Sequence, residues 1–294
     1  MDRPVRRDAV VARRARGVRR RVGRRARRPR GARAGRVVHA GGQPDARVVG
    51  LPAGGDRRRV DAVGRQRPAP PDAGARAVTR TPLPPTPWVF DPDQWPDDDC
   101  VASGADLAPS TLVEAYRRGA FPMPHDRELL WWSPMERGVL VPSDLRVSRS
   151  LSRSVRRFTV TVDESFEEVI DACADPSRPG SWIDGPIREA YVEMHRLGWA
   201  HSVETRSADG TLVGGLYGLS IGALFAGESM FHRATDASKV ALVELARRVG
   251  DGGLIDTQWS TTHLESLGVT QWPRDVYLAR IEELVDAAPP PGWA

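Results

Sequence analysis

From residue 200 onward, apolar and polar positions alternate in short runs bounded by glycine and turn residues. Segments 201–206 and 212–219, joined by Ala208-Asp209-Gly210, predict a β-hairpin. Segments 221–227 and 254–259 predict two further strands, the second buried. Residues 237–249, with Val240, Leu242, Leu245 and Val249 inward, predict a helix that Asp236 is placed to cap. Upstream the apolar period lengthens to that of helices. Residues 148–157, 163–175 and 186–198 read as helices, with a strand at 158–162 between the first two. Residues 139–141 read as a short strand and 276–284 as a last helix. Ser110 or Thr111 can cap a helix running to 116–118 and ended by Gly119. Residues 121–122 and 131–134 read as rigid loops, and the Pro/Asp-rich segment 81–108 as irregular chain anchored by Trp88, Phe90 and Trp95. Helices and strands interspersed with a hairpin give an α+β or α/β core.

Composition separates a different N-terminal piece. Residues 1–80 hold 24 Arg and 6 Asp, no Lys or Glu, and a single Leu, Leu51. Their net charge is +18 against −13 for the remainder. So little apolar area cannot offset ordering entropy, and this segment is expected to be disordered. It reads as a basic arm for nucleic acid or as an over-long gene reading from GC-rich DNA, not part of the translated protein. Its lack of Ser argues against a transit peptide, and its lack of an apolar run against a secretory signal. No run of 18 apolar residues occurs, so no membrane span is expected. Cys100 and Cys173 stand apart and the six His are scattered, so no metal and no disulfide framework are expected, and cytosol is the default compartment.

Four features carry candidate chemistry. Asp256 and Gln258 lie two apart in LIDTQ, and on a regular strand they share a face. A carboxylate can then polarise the amide that orients a nucleophile, although the spacing alone fits a satisfied polar pair equally well. Gly214, Gly215, Gly218, Gly222 and Gly227 leave room for a ligand or for ordinary close packing, with Leu216, Phe225 and Met230 as apolar wall. Glu228 is a lone carboxylate in an apolar run and needs a partner, Arg233 or Lys239, or a cationic ligand. Arg149, Arg153, Arg156 and Arg157 fall on one helix face and suit phosphate contact, or solvent. Trp131, Trp132 and Trp182 can stack a base or anchor a core.

Several motifs, in order, resemble the leucyl/phenylalanyl-tRNA–protein transferase family. They are YRRGAFP (116–122), WWSP (131–134), VSRSLSR (147–153), VGGLY (213–217), GESMF (227–231), ASK (237–239), LIDTQ (254–258) and SLG (266–268). The resemblance covers about residues 85–280 and leaves 1–80 without counterpart. After the segment 1–80 that composition marks as disordered, it implies a small N-terminal domain over 81–150 and a GNAT-like acyltransferase domain over 151–294. It implies transfer of Leu or Phe, or Met, from aminoacyl-tRNA to proteins beginning with Arg or Lys, as a degradation signal and without a cofactor. Asp256 and Gln258 match the family's relay pair and Glu228 its pocket glutamate. Leu216, Phe225, Met230 and Ile255 match the donor side-chain pocket, Trp182 an adenosine-holding aromatic, and Arg149, Arg153 and Arg156 the acceptor-stem contacts. Met123 stands where many members carry an aromatic, and Leu245 and Val249 where some carry larger residues. Two rivals remain at this level: an acyl-CoA-dependent N-acyltransferase and a non-catalytic tRNA-binding module. The acidic residue opening the helix at 236 disfavours phosphate there and so weighs against the first.

Overall fold

The computed structural model describes the pair Arg13–Arg14 and residues 80–178 and 180–290. The expected disorder of the rest of the Arg-rich segment lies outside the described residues. Strand β1 (Arg13–Arg14) pairs antiparallel with β2 (Trp88–Val89). Next come β3 (Cys100–Ser103), α1 (Pro109–Arg117), β4 (Phe121–His125) and β5 (Glu128–Trp132). The last two are strands where loops are expected from the sequence, and they form an antiparallel sheet in the order β3-β5-β4. Pro122 and Pro124 fit because β4 is an edge strand, where a missing N–H breaks no ladder.

The main body runs β6 (Glu136–Leu140), α2 (Arg149–Val155), β7 (Thr159–Val162), α3 (Phe166–Cys173), α4 (Gly185–Arg196), β8 (Ala200–Arg206), β9 (Leu212–Ile221) and β10 (Leu224–His232). It ends with α5 (Ala237–Val249), β11 (Leu254–Gln258), α6 (Thr262–Ser266), β12 (Thr270–Pro273) and α7 (Arg274–Leu284). Seven strands form one mixed sheet in the order β12-β6-β11-β10-β9-β8-β7. Only β10 and β11 run parallel within it, joined through α5; the other pairs are antiparallel. The architecture is α+β. Strand β6 belongs to this sheet although it precedes residue 150.

Helices cover both faces. A side chain at Gly214 would meet Ala237 of α5, and one at the next residue, Gly215, would meet Val169 of α3. Successive strand residues point to opposite faces, so α5 and α3 flank the sheet from opposite sides. Each side has its own core. Tyr217, Leu219 and Ile221 join α1, α3, α4 and α7, and Leu216, Phe225 and Ile255 join α2 and α5.

The β9–β10 contact tolerates no extra atom at Gly218, where a Cβ would stand 2.1 Å from the Ala226 carbonyl oxygen and 2.6 Å from the Phe225 ring. Gly218→Ala is expected to cost about 1–3 kcal/mol through forced backbone displacement. Denaturant unfolding checks it: an unchanged midpoint would show that the strands yield freely.

Candidate active site

The parallel pairing of β10 and β11 runs through Leu224–Leu254, Phe225–Ile255 and Ala226–Asp256 and stops there. Beyond it, β10 stays with β9 and β11 with β6. Both strands are irregular at this fork. The β10 register shifts between Gly227 and Ser229, at Glu228, and the β11 register shifts between Asp256 and Gln258. Such bulges re-aim side chains. At the fork lies a cavity of about 220 Å³ with an apolar wall of Leu216, Met230, Leu242, Leu245, Ile255 and Leu264. Glu228, Gln258, Thr257, Thr261 and His263 supply its polar groups. An apolar recess with a few converging polar atoms suits one hydrocarbon side chain carrying a polar head.

Glu228 is 9% exposed, and its partners are tyrosines rather than Arg233 or Lys239. The Tyr116 hydroxyl, from α1, donates to Oε1 at 2.7 Å, and the Tyr191 hydroxyl, from α4, donates to Oε2 at 3.1 Å. The two phenols also touch each other. Burial pushes the Glu228 carboxyl up to about 8, outweighing the two phenol hydrogen bonds that favour its anion. Burial first, and the Glu228 charge second, hold both phenols well above their ordinary range, so they remain O–H donors. Lys239 instead pairs with Asp236 at 3.0 Å.

Asp256 is fully buried and does not line the cavity. Arg137, also fully buried, grips it with Nε on Oδ1 at 2.8 Å and Nη2 on Oδ2 at 2.6 Å. The Tyr277 hydroxyl donates to Oδ2 at 2.9 Å. The backbone N–H of Gln258 donates to Oδ1 at 2.9 Å. The shared-face expectation therefore fails: the bulge turns the Gln258 backbone to φ +56°. Asp256 holds the main chain of Gln258 and does not polarise its amide. The side-chain Nε2 instead points at Glu228 Oε1, 3.5 Å away.

The structure gathers Leu216, Met230, Ile255, Glu228 and Gln258 around one cavity. Phe225 belongs to the same apolar cluster as Leu216 and Ile255 but is not a lining residue. Leu245 lines the cavity, and Val249 is buried in the core beside it. Trp182 and Met123 are half-buried and lie outside the lining, and Met123 accepts the Trp132 indole N–H through its carbonyl at 3.0 Å. Trp131 is fully buried, donating to Gly104, so it is a core anchor and not a stacking platform. Arg149 and Arg153 on α2, and Arg156 at its C-terminal cap, are exposed on the surface. Arg137, Tyr116, Tyr191 and Tyr277 went unseen in the sequence. Their partners lie 119, 112, 37 and 21 residues away, respectively. YRRGAFP contains Tyr116, the one signal that pointed near them. Among the described residues no group of three or more His, Cys, Asp or Glu is placed to hold a metal. No helix among them is long and apolar enough to cross a membrane.

Comparison with known proteins bears on this geometry. The profile described as "Leucyl/phenylalanyl-tRNA protein transferase" matches residues 139–282, and that of its N-terminal domain matches 105–135. A leucyl/phenylalanyl-tRNA–protein transferase of Aromatoleum aromaticum is 50% identical over 205 residues, 67% of this chain and 86% of the relative. One of Azoarcus sp. is 46% identical over 224 residues, 71% of this chain and 95% of the relative. Among solved structures, a GCN5-related N-acetyltransferase from Kribbella flavida overlaps 48% of this chain and 55% of its own at 17% identity, with a TM-score of 0.31. That overlap is partial, and the sequence relatives carry the identification. With both profiles matched in order and relatives near half identity over most of their length, the chain belongs to the leucyl/phenylalanyl-tRNA–protein transferase family.

Proposed function

We propose that the protein transfers Leu or Phe from aminoacyl-tRNA to the α-amine of an acceptor protein beginning with Arg or Lys, in the cytoplasm. The single observation that carries this reading is the cavity at the β10–β11 fork, apolar on one side and closed by Gln258 and Glu228 on the other. In it the donor side chain rests against Leu216, Met230, Leu245 and Ile255, with Phe225 behind them. The aminoacyl ester carbonyl then lies at the polar end. With Nε2 directed at Glu228, the Gln258 Oε1 is the acceptor that orients the incoming amine. Asp256 acts one step removed, by fixing the Gln258 backbone.

The chemistry needs little acid–base help. The amine nitrogen forms a bond to the ester carbonyl carbon, the bond to the ribose oxygen breaks, and the amine's proton ends on that oxygen. An α-amine has a pKa of about 7.7–8.0, so a neutral fraction exists near pH 7. Holding the two groups together supplies roughly 7–11 kcal/mol at best. Glu228, poised near 8, matches the amine and can relay the proton. Trp182 and Met123 hold the terminal adenosine, and exposed Arg149, Arg153 and Arg156 meet the acceptor stem. The test is transfer of labelled leucine from charged tRNA to a peptide beginning with Arg; the reading predicts a labelled peptide, and its absence would defeat the reading.

The cavity also predicts donor choice. Leu245→Phe adds carbons to the wall. It is expected to lower kcat/KM for the Phe donor relative to the Leu donor by about tenfold, within the range for one misplaced methylene. Parallel assays with both charged tRNAs check this, and an unchanged ratio would place the donor side chain elsewhere.

A further inference from the structure

A second cavity, of about 620 Å³, opens beside the first and shares His263 with it. Its walls carry Arg233, Lys239, His232, His263 and Ser238. Lys239 is the only lysine of the chain. Ser238 is only 4% exposed and lines this cavity. Asp236 also lines it, but it does not cap α5. Its carboxylate accepts from Ser154 Oγ at 3.0 Å and from Lys239 Nζ at 3.0 Å. The sequence objection to phosphate at this helix start therefore falls, because the acid is held sideways and already partnered. Arg233 is held through Leu212 and over the Phe231 ring, which fixes a guanidinium at the rim. Burial first, then Lys239 and His232, holds the His263 imidazole below its ordinary pKa, consistent with a field that favours an anion.

Position supplies the ligand class. Ser154, which reaches Asp236, is the neighbour of Arg153 on the exposed Arg face of α2. The cavity thus lies between that face and the apolar pocket. A polynucleotide strand lying on the Arg face with its 3′ end in the pocket passes over it. We propose that this cavity binds the phosphodiester next to the 3′-terminal nucleoside of the donor, with Lys239 and Arg233 meeting its charge and Ser238 donating a hydrogen bond. This rests on the transferase reading above and adds a phosphate site to it.

The test compares two small donors on the full-length protein: the leucyl ester of adenosine, which has no phosphate, and the leucyl ester of the dinucleotide CpA, which has one. Wild type is expected to prefer the CpA ester by about tenfold in kcat/KM, the scale of one charge-assisted hydrogen bond. In Lys239→Gln, and independently in Arg233→Gln, that preference is expected to fall toward parity. The salt slope for charged tRNA should drop by about 0.7 for each cation removed. A wild type indifferent to the phosphate, or a preference that survives both replacements, overturns the site. Failure of the wild type to transfer from charged tRNA at all would instead overturn the transferase reading.

Discussion

Arg137→Met is expected to destabilise the protein by about 3–5 kcal/mol, because it strands the Asp256 carboxylate in a fully buried position. Every oxygen of that carboxylate is committed, to Arg137 Nε and Nη2, the Tyr277 hydroxyl and the Gln258 backbone. The guanidinium in turn lies 4.4 Å from the centre of the Tyr277 ring and donates to the Gly119 carbonyl at 3.0 Å. Removing both charges, as in Arg137→Met with Asp256→Leu, should recover much of the stability, since the loss comes from leaving one charge alone. Activity should not recover. Asp256 Oδ1 accepts the N–H of Gln258 in its left-handed backbone, so losing that acceptor is expected to shift Gln258, and a misplacement on the ångström scale costs about a hundredfold in rate. Denaturant melts and transfer assays on the single and double variants separate the two effects. A double variant with near-wild-type transfer would show that the ion pair merely fills the interior.

Glu228 makes the second large effect one of pH. A carboxyl raised to about 8 in the fold, from an ordinary value near 4.3, favours the folded state while it is protonated. That contribution is full below the unfolded pKa and is lost as pH climbs from about 4.3 through about 8. At 1.36 kcal/mol per unit it amounts to a few kcal/mol. The wild-type melting temperature should therefore fall between pH 5 and 9 more steeply than that of Glu228→Gln, which has no carboxyl to ionise. The rate carries a matching signature. Below pH 7.5, kcat/KM should rise with a slope approaching two for wild type, since both the amine and Glu228 must lose protons. Glu228→Gln should keep only the slope of one that belongs to the amine. Identical profiles would remove Glu228 from proton transfer.

Most strands of the body and the longer helices between them were legible because each buries a regular stripe, whereas the short α6 and β12 were not read. The hairpin expected over 201–219 is β8 and β9, and the helix expected over 237–249 is α5 to the residue. The sheet β3-β5-β4 was not legible, because its prolines read as punctuation until β4 is seen to be an edge. Individual pocket residues were visible as an apolar run with one carboxylate. Their geometry was not, since it depends on two bulges. Period-two reasoning put Asp256 and Gln258 on one face, and the bulge at Thr257 separated their roles. The groups that set the electrostatics, Arg137 for Asp256 and Tyr116 for Glu228, come from the other end of the described chain. No local pattern announces a partner more than a hundred residues away.

A crystal of the whole protein with a puromycin-like analogue, carrying an unreactive amide in place of the ester, would locate the donor site. The analogue's side chain is expected between Leu216, Met230, Leu245 and Ile255, with the carbonyl beside Gln258. Well-defined density for the analogue elsewhere, with the fork of β10 and β11 empty, would contradict that placement.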